Sequence, residues 1–227
     1  MTITTCIFDA YGTLFDVTAA ARAAAAEPGR GALATLWPRL AEDWRRKQLE
    51  YSWLRTVMGR HADFWTVTAD ALDWALEAAG LDDAALRDRL LALYRDLPAY
   101  AEVPGVLAAL KRRGLATAVL SNGSPDMLAA AVRSAGIGGL LEEVLSVEGA
   151  GVFKPDPRVY GLVTERFGPA RDAVLFVSAN GWDAAGAAAF GFRTAWVNRA
   201  RLPVDRLPAR PHHVVPDLTP IPDLARP

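Results

Sequence analysis

At 227 residues the chain has room for one large domain or two unequal ones, and a 52% hydrophobic fraction excludes an intrinsically disordered polymer. A formal net charge of −1, with both signs mixed along the chain, excludes the basic footprint of a nucleic-acid binder or of a protein that docks on an anionic membrane. The expected partner is a small molecule.

The first residues are polar threonines that run into an aspartate turn, not the basic start and apolar core of a secretory signal. No apolar segment approaches the roughly 20 residues that cross a bilayer. Cys6, the single cysteine, has no partner for an intramolecular disulfide. A soluble protein of the reducing cytoplasm is expected.

Residues 3–8 form a short apolar run with β-branched members that stops at a turn signal, the pattern of a buried strand. Asp9 closes it. A carboxylate there has two readings. It caps the turn by accepting nearby amides, or it is a nucleophile at the carboxyl end of a strand, where open α/β sheets bind their ligands. Beyond this turn the pattern is helical. Residues 17–27 are rich in alanine, the best helix former, and 27–31 break the run. Apolar residues at 40, 44, 51, 54 and 58 keep the helical period, and further helical stretches cover 66–80 and 81–97, the second opened by Asp82 or Asp83 as cap. That makes roughly eighty residues without a strand, after which Pro98 and Pro104 bracket a linker.

Beyond the linker, strand and helix alternate, which predicts a parallel sheet covered by helices. Strands are expected at 115–120, 142–147, 173–177 and 192–197, with helices from Pro125, after Lys154-Pro155-Asp156 and from about Trp182, and a proline-rich tail. The chain has no internal repeat. The expected architecture is an α/β core of residues 1–15 and 98–227, built on an open, parallel, Rossmann-like sheet, with an all-helical cap of residues 16–97 inserted after the first strand.

Four strand ends carry small polar clusters: Asp9 with Thr13, Ser121 with Asn122, Lys154, and Ser178 with Asn180 and Asp183. Singly, these read as turns and a solvated loop lysine. In a sheet of uniform direction they share one edge, and together they read as one active site.

The combination of FDAYGTLFDV, LSNGS, KPDPRVY and FVSANGWDAAGA resembles the haloacid dehalogenase superfamily, and WRRKQLEYSWLR at 44–55 narrows the resemblance to the 2-haloacid dehalogenases that act on the (S) enantiomer. Two departures separate the chain from the phosphatases of that superfamily. Tyr11 stands where they carry a second aspartate as general acid, and the stretch from Ser178 to Asp183 keeps one acid where they hold magnesium. A departing halide needs no proton, so both departures fit carbon–halogen cleavage.

The resemblance also implies a role for each residue of the cluster. Asp9 attacks C2 of the substrate and forms an ester that water hydrolyses, and Lys154 favours its charged form. The amides of Ala10 and Tyr11 and the Ser121 hydroxyl receive the substrate carboxylate. Arg45, Asn122, Phe64 and Trp182 form the halide pocket. Asp183, oriented by Asn180 and Ser178, activates water, while Thr13 and Tyr160 orient the carboxylates. Arg45 also reads as part of a solvated basic face with Arg46 and Lys47, and Phe64 and Trp182 as core aromatics. Ala10 is smaller than the aliphatic residue usual in the family, which leaves chain-length preference open. A homodimer is implied by resemblance alone. His61, His212 and His213 form no catalytic pattern, and Gly136, Gly138 and Gly139 no dinucleotide fingerprint, so no cofactor and no metal are expected. Two other functions remain: a magnesium-dependent phosphatase, against which Tyr11 argues, and a noncatalytic binding protein.

Overall fold

A computed structural model describes residues 2–225. Its strands are β1 (Thr5–Phe8), β2 (Ala116–Ser121), β3 (Glu143–Ser146), β4 (Val174–Ser178), β5 (Arg193–Val197) and β6 (His213–Val215). Among the described residues these form one parallel sheet in the order β3-β2-β1-β4-β5-β6. The central strands are buried along their whole length, as a parallel sheet with helices on both faces requires. Phe8 pairs with Val119 on one side and Val177 on the other, so Asp9 leaves the sheet between the ends of β2 and β4. The order turns back on either side of β1, which opens a crevice at that edge.

Between β1 and β2 lie α1 (Ala19–Ala25), α2 (Gly31–Val57), α3 (Phe64–Ala78), α4 (Ala84–Arg95) and α5 (Val103–Arg112). The chain leaves the sheet and returns to it side by side: Asp16 N–H donates to Pro98 O at 3.0 Å and Tyr100 N–H to Leu14 O at 2.9 Å. Helices α6 (Pro125–Ser134), α7 (Pro157–Phe167), α8 (Gly181–Phe190) and α9 (Ile221–Leu224) complete the chain. No helix among the described residues is long and apolar enough to cross a membrane.

Three elements differ from the sequence expectation. Helix α2 starts at Gly31, not near Leu40, and runs through Pro38. Pro38 is exposed, so water can satisfy the carbonyl it leaves unpaired, while Leu33 and Leu40 stay buried and hold the early turns in place. The linker is shorter than its prolines suggest, because Pro104 lies in the first turn of α5, where a missing N–H costs no helical bond. The tail contributes β6, three residues flanked by prolines, paired to β5 through Ala195–His213 and Val197–Val215. Helix starts are set by local chemistry: Asp63 Oδ1 accepts from Thr66 N–H at 3.1 Å, and Asp83, not Asp82, caps α4 through Leu86 N–H at 2.9 Å.

Helices α2 and α3 pack on a face that is not purely apolar. Trp44, Gln48 and Ser52, spaced four apart on α2, are all buried, and Trp44 Nε1 donates to Thr68 O at 2.9 Å. Polar groups therefore line the inner side of the helical insertion, above the edge where Asp9 emerges.

Candidate active site

Asp9 is 6% exposed and its carboxylate is bound on both oxygens. Oδ1 accepts from Lys154 Nζ at 3.1 Å; Oδ2 accepts from Thr13 Oγ1 at 2.9 Å and from Asn180 Nδ2 at 3.0 Å. The local fold explains how Thr13 reaches back. After Asp9 the chain turns so tightly that Ala10 O receives the amides of Thr13, Leu14 and Phe15, and Gly12 takes φ +88°, a conformation a side chain would strain. Thr13 Oγ1 also accepts the Ala179 amide at 2.8 Å, which ties the loop after β1 to the loop after β4.

Lys154 is the centre of charge. Its ammonium, 1% exposed, also donates to Asp183 Oδ2 at 2.9 Å and lies 5.0 Å above the Phe176 ring. Burial works against the charged lysine, but Asp183 and Asp9 outweigh it and hold the group above its ordinary pKa. Asp183 is fully buried; burial pushes its carboxyl up, with the Asp9 charge adding and Lys154 and Tyr160 pulling back. Tyr160 OH donates to Asp183 Oδ1 at 2.8 Å, and burial beside that carboxylate keeps the phenol protonated. A single cation thus bridges two carboxylates, each steadied by a hydroxyl donor.

This arrangement does not fit a magnesium ion. The space between Asp9 and Asp183 holds the Lys154 ammonium, and among the described residues no three His, Cys, Asp or Glu side chains converge.

Arg45 reaches the site from α2. Its Nη2 lies 3.3 Å from both Tyr11 O and Asn180 Oδ1, and its Nη1 donates to Gln48 Oε1 at 2.7 Å. The solvated-face reading holds instead for Arg46, which is exposed and pairs with Asp43; Lys47 pairs with Glu50 and is largely covered, its ammonium 4.5 Å from the Trp74 ring. Asn180 is polarised from both ends, accepting from Arg45 and donating to Asp9. Asn122 Oδ1 accepts the Lys154 amide at 3.0 Å and fixes the backbone that carries the lysine.

The structure thus joins Asp9, Thr13, Arg45, Asn122, Lys154, Tyr160, Asn180 and Asp183 in one hydrogen-bonded cluster. Ser121 and Ser178 stand one step behind it: their hydroxyls accept the amides of Gly123 and Asn180, both at 3.1 Å. The expected orientation of Asp183 by Asn180 and Ser178 is therefore indirect. Ser178 supports Asn180, whose side chain faces Asp9, and Asp183 is oriented by Lys154 and Tyr160.

The aromatic residues divide. Tyr11 stacks on Tyr94 at 5.6 Å and lies 6.1 Å from Phe64, so the loop after β1 inserts its ring under the helical segment. Burial and the neighbouring Tyr94 hold the Tyr11 phenol far above its ordinary pKa. Phe64 is buried against Tyr11 and Phe153. Trp182 is half-buried and meets Trp53 edge-on at 5.3 Å. Ala10 is fully buried and leaves no bulk at the turn.

Sequence reasoning missed Gln48, Thr68, Tyr94 and Glu148. Gln48 Nε2 donates to Thr68 Oγ1 at 2.7 Å and lies 3.2 Å from Tyr94 OH. Glu148 links the core to the start of α3, accepting the Phe64 amide at 3.1 Å and pairing with His61 at 2.9 Å, which makes His61 a structural partner. The signal for Gln48 was a polar residue on the 40–44–48 line of an otherwise apolar helical stripe.

A family model for haloacid dehalogenase-like hydrolases matches residues 3–191. The chain is 44% identical over 223 residues to (S)-2-haloacid dehalogenase 1 of Pseudomonas sp. (strain CBS-3), covering 98% of this chain and 96% of that protein. It is 48% identical over 194 residues to the (S)-2-haloacid dehalogenase of Pseudomonas sp. (strain YL), covering 85% and 81%. The structure of L-2-haloacid dehalogenase from Xanthobacter autotrophicus with chloropropionic acid covalently bound superposes with a TM-score of 0.86 at 40% identity, covering 98% of both chains. The chain belongs to the haloacid dehalogenase-like hydrolases, in the group formed by these (S)-2-haloacid dehalogenase relatives.

Proposed function

We propose that the chain hydrolyses (S)-2-haloalkanoic acids to (R)-2-hydroxyalkanoic acids through an ester on Asp9. The observation that carries this reading is the Asp9 carboxylate, bound by Lys154, Thr13 and Asn180, with a tyrosine instead of a second acid at position 11. A phosphate ester needs an acid for its leaving oxygen; a halide leaves without one. The names of the relatives and the chloropropionic acid bound covalently to the Xanthobacter enzyme support the same chemistry.

In the first step an Asp9 oxygen attacks C2 opposite the halogen, the new C–O bond replaces the carbon–halogen bond, and configuration inverts. The ammonium and the two other donors hold the nucleophile in one direction, so little reorganisation is needed at the moment of attack. The halide leaves towards Arg45, with Asn122, Phe64 and Trp182 completing its pocket. The Ala10 and Tyr11 amides and the Ser121 hydroxyl receive the substrate carboxylate. In the second step Asp183 takes a proton from water, hydroxide adds to the Asp9 carbonyl carbon, and the tetrahedral intermediate collapses. The departing alkoxide recovers the proton from Asp183, and Asp9, left as the acid, loses its own proton to solvent, which balances the halide released. Burial raises the basicity of Asp183, while Lys154 and Tyr160 keep it ionisable. Because this step occurs at the Asp9 carbon, the inversion at C2 survives.

Residues 16–97 act as a cap domain over a core of 1–15 and 98–227, a division supported by the paired backbone at Leu14–Asp16 and Pro98–Tyr100. The reaction uses no cofactor. The exposed apolar run Trp53, Leu54, Val57 and Met58 at the end of α2 supports a homodimer through that face. The lone, buried Cys6 suits the reducing cytoplasm.

The test is a chelator-treated sample given (S)-2-chloropropionate. Chloride release with formation of (R)-lactate is expected, and one turnover in heavy-oxygen water should label the Asp9 carboxyl group. Label in the product alcohol alone, or phosphatase activity that a chelator abolishes, would refute the reading.

A further inference from the structure

We propose that Gln48 is a positioning residue for the leaving-group cation: an electrically neutral anchor that aims Arg45 at the reaction centre. This rests on the dehalogenase reading.

Gln48 is 1% exposed, and an amide so buried must satisfy both its oxygen and its NH2 group. Chemistry fixes which end points where. Thr68 Oγ1 donates its only proton to Phe64 O at 2.7 Å, so towards Gln48 it offers lone pairs alone. The Gln48 NH2 must therefore face Thr68, 2.7 Å away, and Oε1 must face Arg45 Nη1, also at 2.7 Å. The Tyr94 hydroxyl lies 3.2 Å from Nε2 and 3.3 Å from Oε1, and Tyr94 stacks on Tyr11 in the loop that carries the nucleophile. A continuous chain runs from the Phe64 carbonyl through Thr68 and Gln48 to the guanidinium.

Arg45 has no carboxylate partner on its own helix, whereas beside it Arg46 has two, Asp43 and Glu50, and Lys47 has Glu50. Its contacts across to the core, to Tyr11 O and Asn180 Oδ1, are long at 3.3 Å, and the short bond is the one to Gln48. An amide in that place holds the guanidinium without cancelling its charge, and the full positive charge stays available to a departing halide. A carboxylate would hold it as well and neutralise it.

The test is single-turnover halide release from (S)-2-chloro- and (S)-2-bromopropionate by the full-length enzyme, Gln48→Met, Arg45→Ala and the double variant. Chloride is the poorer leaving group and depends more on Arg45. Gln48→Met should release chloride about 10- to 100-fold more slowly, the loss expected of a misaimed group. Bromide release should fall less, and adding Gln48→Met to Arg45→Ala should change nothing further. Equal losses for both halides, the same fractional loss in both backgrounds, or no loss at all would overturn the proposal and leave the dehalogenase reading in place. An unsubstituted enzyme inert to both acids would overturn the dehalogenase reading itself. Thr68→Val keeps Gln48 and removes only the hydroxyl that fixes its amide; it carries the same comparison, with the same outcomes, if Gln48→Met does not fold.

Discussion

Lys154 donates to Asp183 across 2.9 Å with both side chains withdrawn from water, 1% and 0% exposed. The same ammonium serves Asp9, so one positive charge compensates two buried negative ones. Replacing it leaves both carboxylates without a counter-charge.

Lys154→Met should destabilise the fold by about 3–5 kcal/mol, the usual consequence of breaking a buried pair from one side. The pH dependence has a definite sign. The folded pKa of Lys154 lies above the ordinary value of 10.5, so its contribution is complete below that value and lost as pH rises through the folded pKa. In Lys154→Met that alkaline loss disappears. Asp183, already raised by burial, rises further, the folded state binds more protons than the unfolded one, and stability falls as pH rises from the ordinary carboxylate pKa through the raised folded one. Thermal unfolding across pH, compared for the two proteins, reads both effects.

Asp9→Asn should abolish halide release, by on the order of 10,000-fold or more, because the amide is no nucleophile. The fold should survive, since the amide oxygen can stand in for Oδ1 and keep the Lys154 bond while the amide NH2 donates to Thr13 Oγ1. Circular dichroism together with halide release separates loss of chemistry from loss of structure.

Gly186→Ala tests the second step. A Cβ at 186 would come 2.6 Å from Tyr160 OH and 2.7 Å from Pro155 Cβ, too close for either to stay. The gain in helix propensity, about 1 kcal/mol, is outweighed by overpacking of about 1–3 kcal/mol. Displacing Tyr160 frees Asp183, so hydrolysis should slow more than alkylation. Mass spectrometry of the enzyme during turnover should find an ester adduct on Asp9 that the unsubstituted enzyme does not accumulate.

Glu148→Ala removes the acceptor for the Phe64 amide and the partner of His61, both between the helical insertion and the core. Stability should fall by about 1–2 kcal/mol, the range for a half-buried amide left without its acceptor. KM for the haloacid should rise more than kcat falls, because the change loosens Phe64 and spares Asp9. Steady-state kinetics on (S)-2-chloropropionate check the split.

The alternation of strands and helices after residue 115 and the strandless stretch before it were legible because period and turn chemistry are local properties. So was the cluster at the sheet edge, since uniform strand direction alone brings Asp9, Lys154 and Asp183 together. The length of α2 was obscured by Pro38, whose cost depends on which face it occupies, and β6 by its prolines and its three-residue span. Gln48 and Glu148 were hidden for a different reason. Their importance lies in pairings 20 and 84 residues apart, with Thr68 and Phe64, which no periodicity records.

The side-by-side backbones at Leu14–Asp16 and Pro98–Tyr100 give the molecule a modular geometry. A segment whose two ends are neighbours can be lengthened, shortened or exchanged without shifting the register of any of the six strands. The inserted helices can therefore diverge while the carboxylate and ammonium at the sheet edge stay in place.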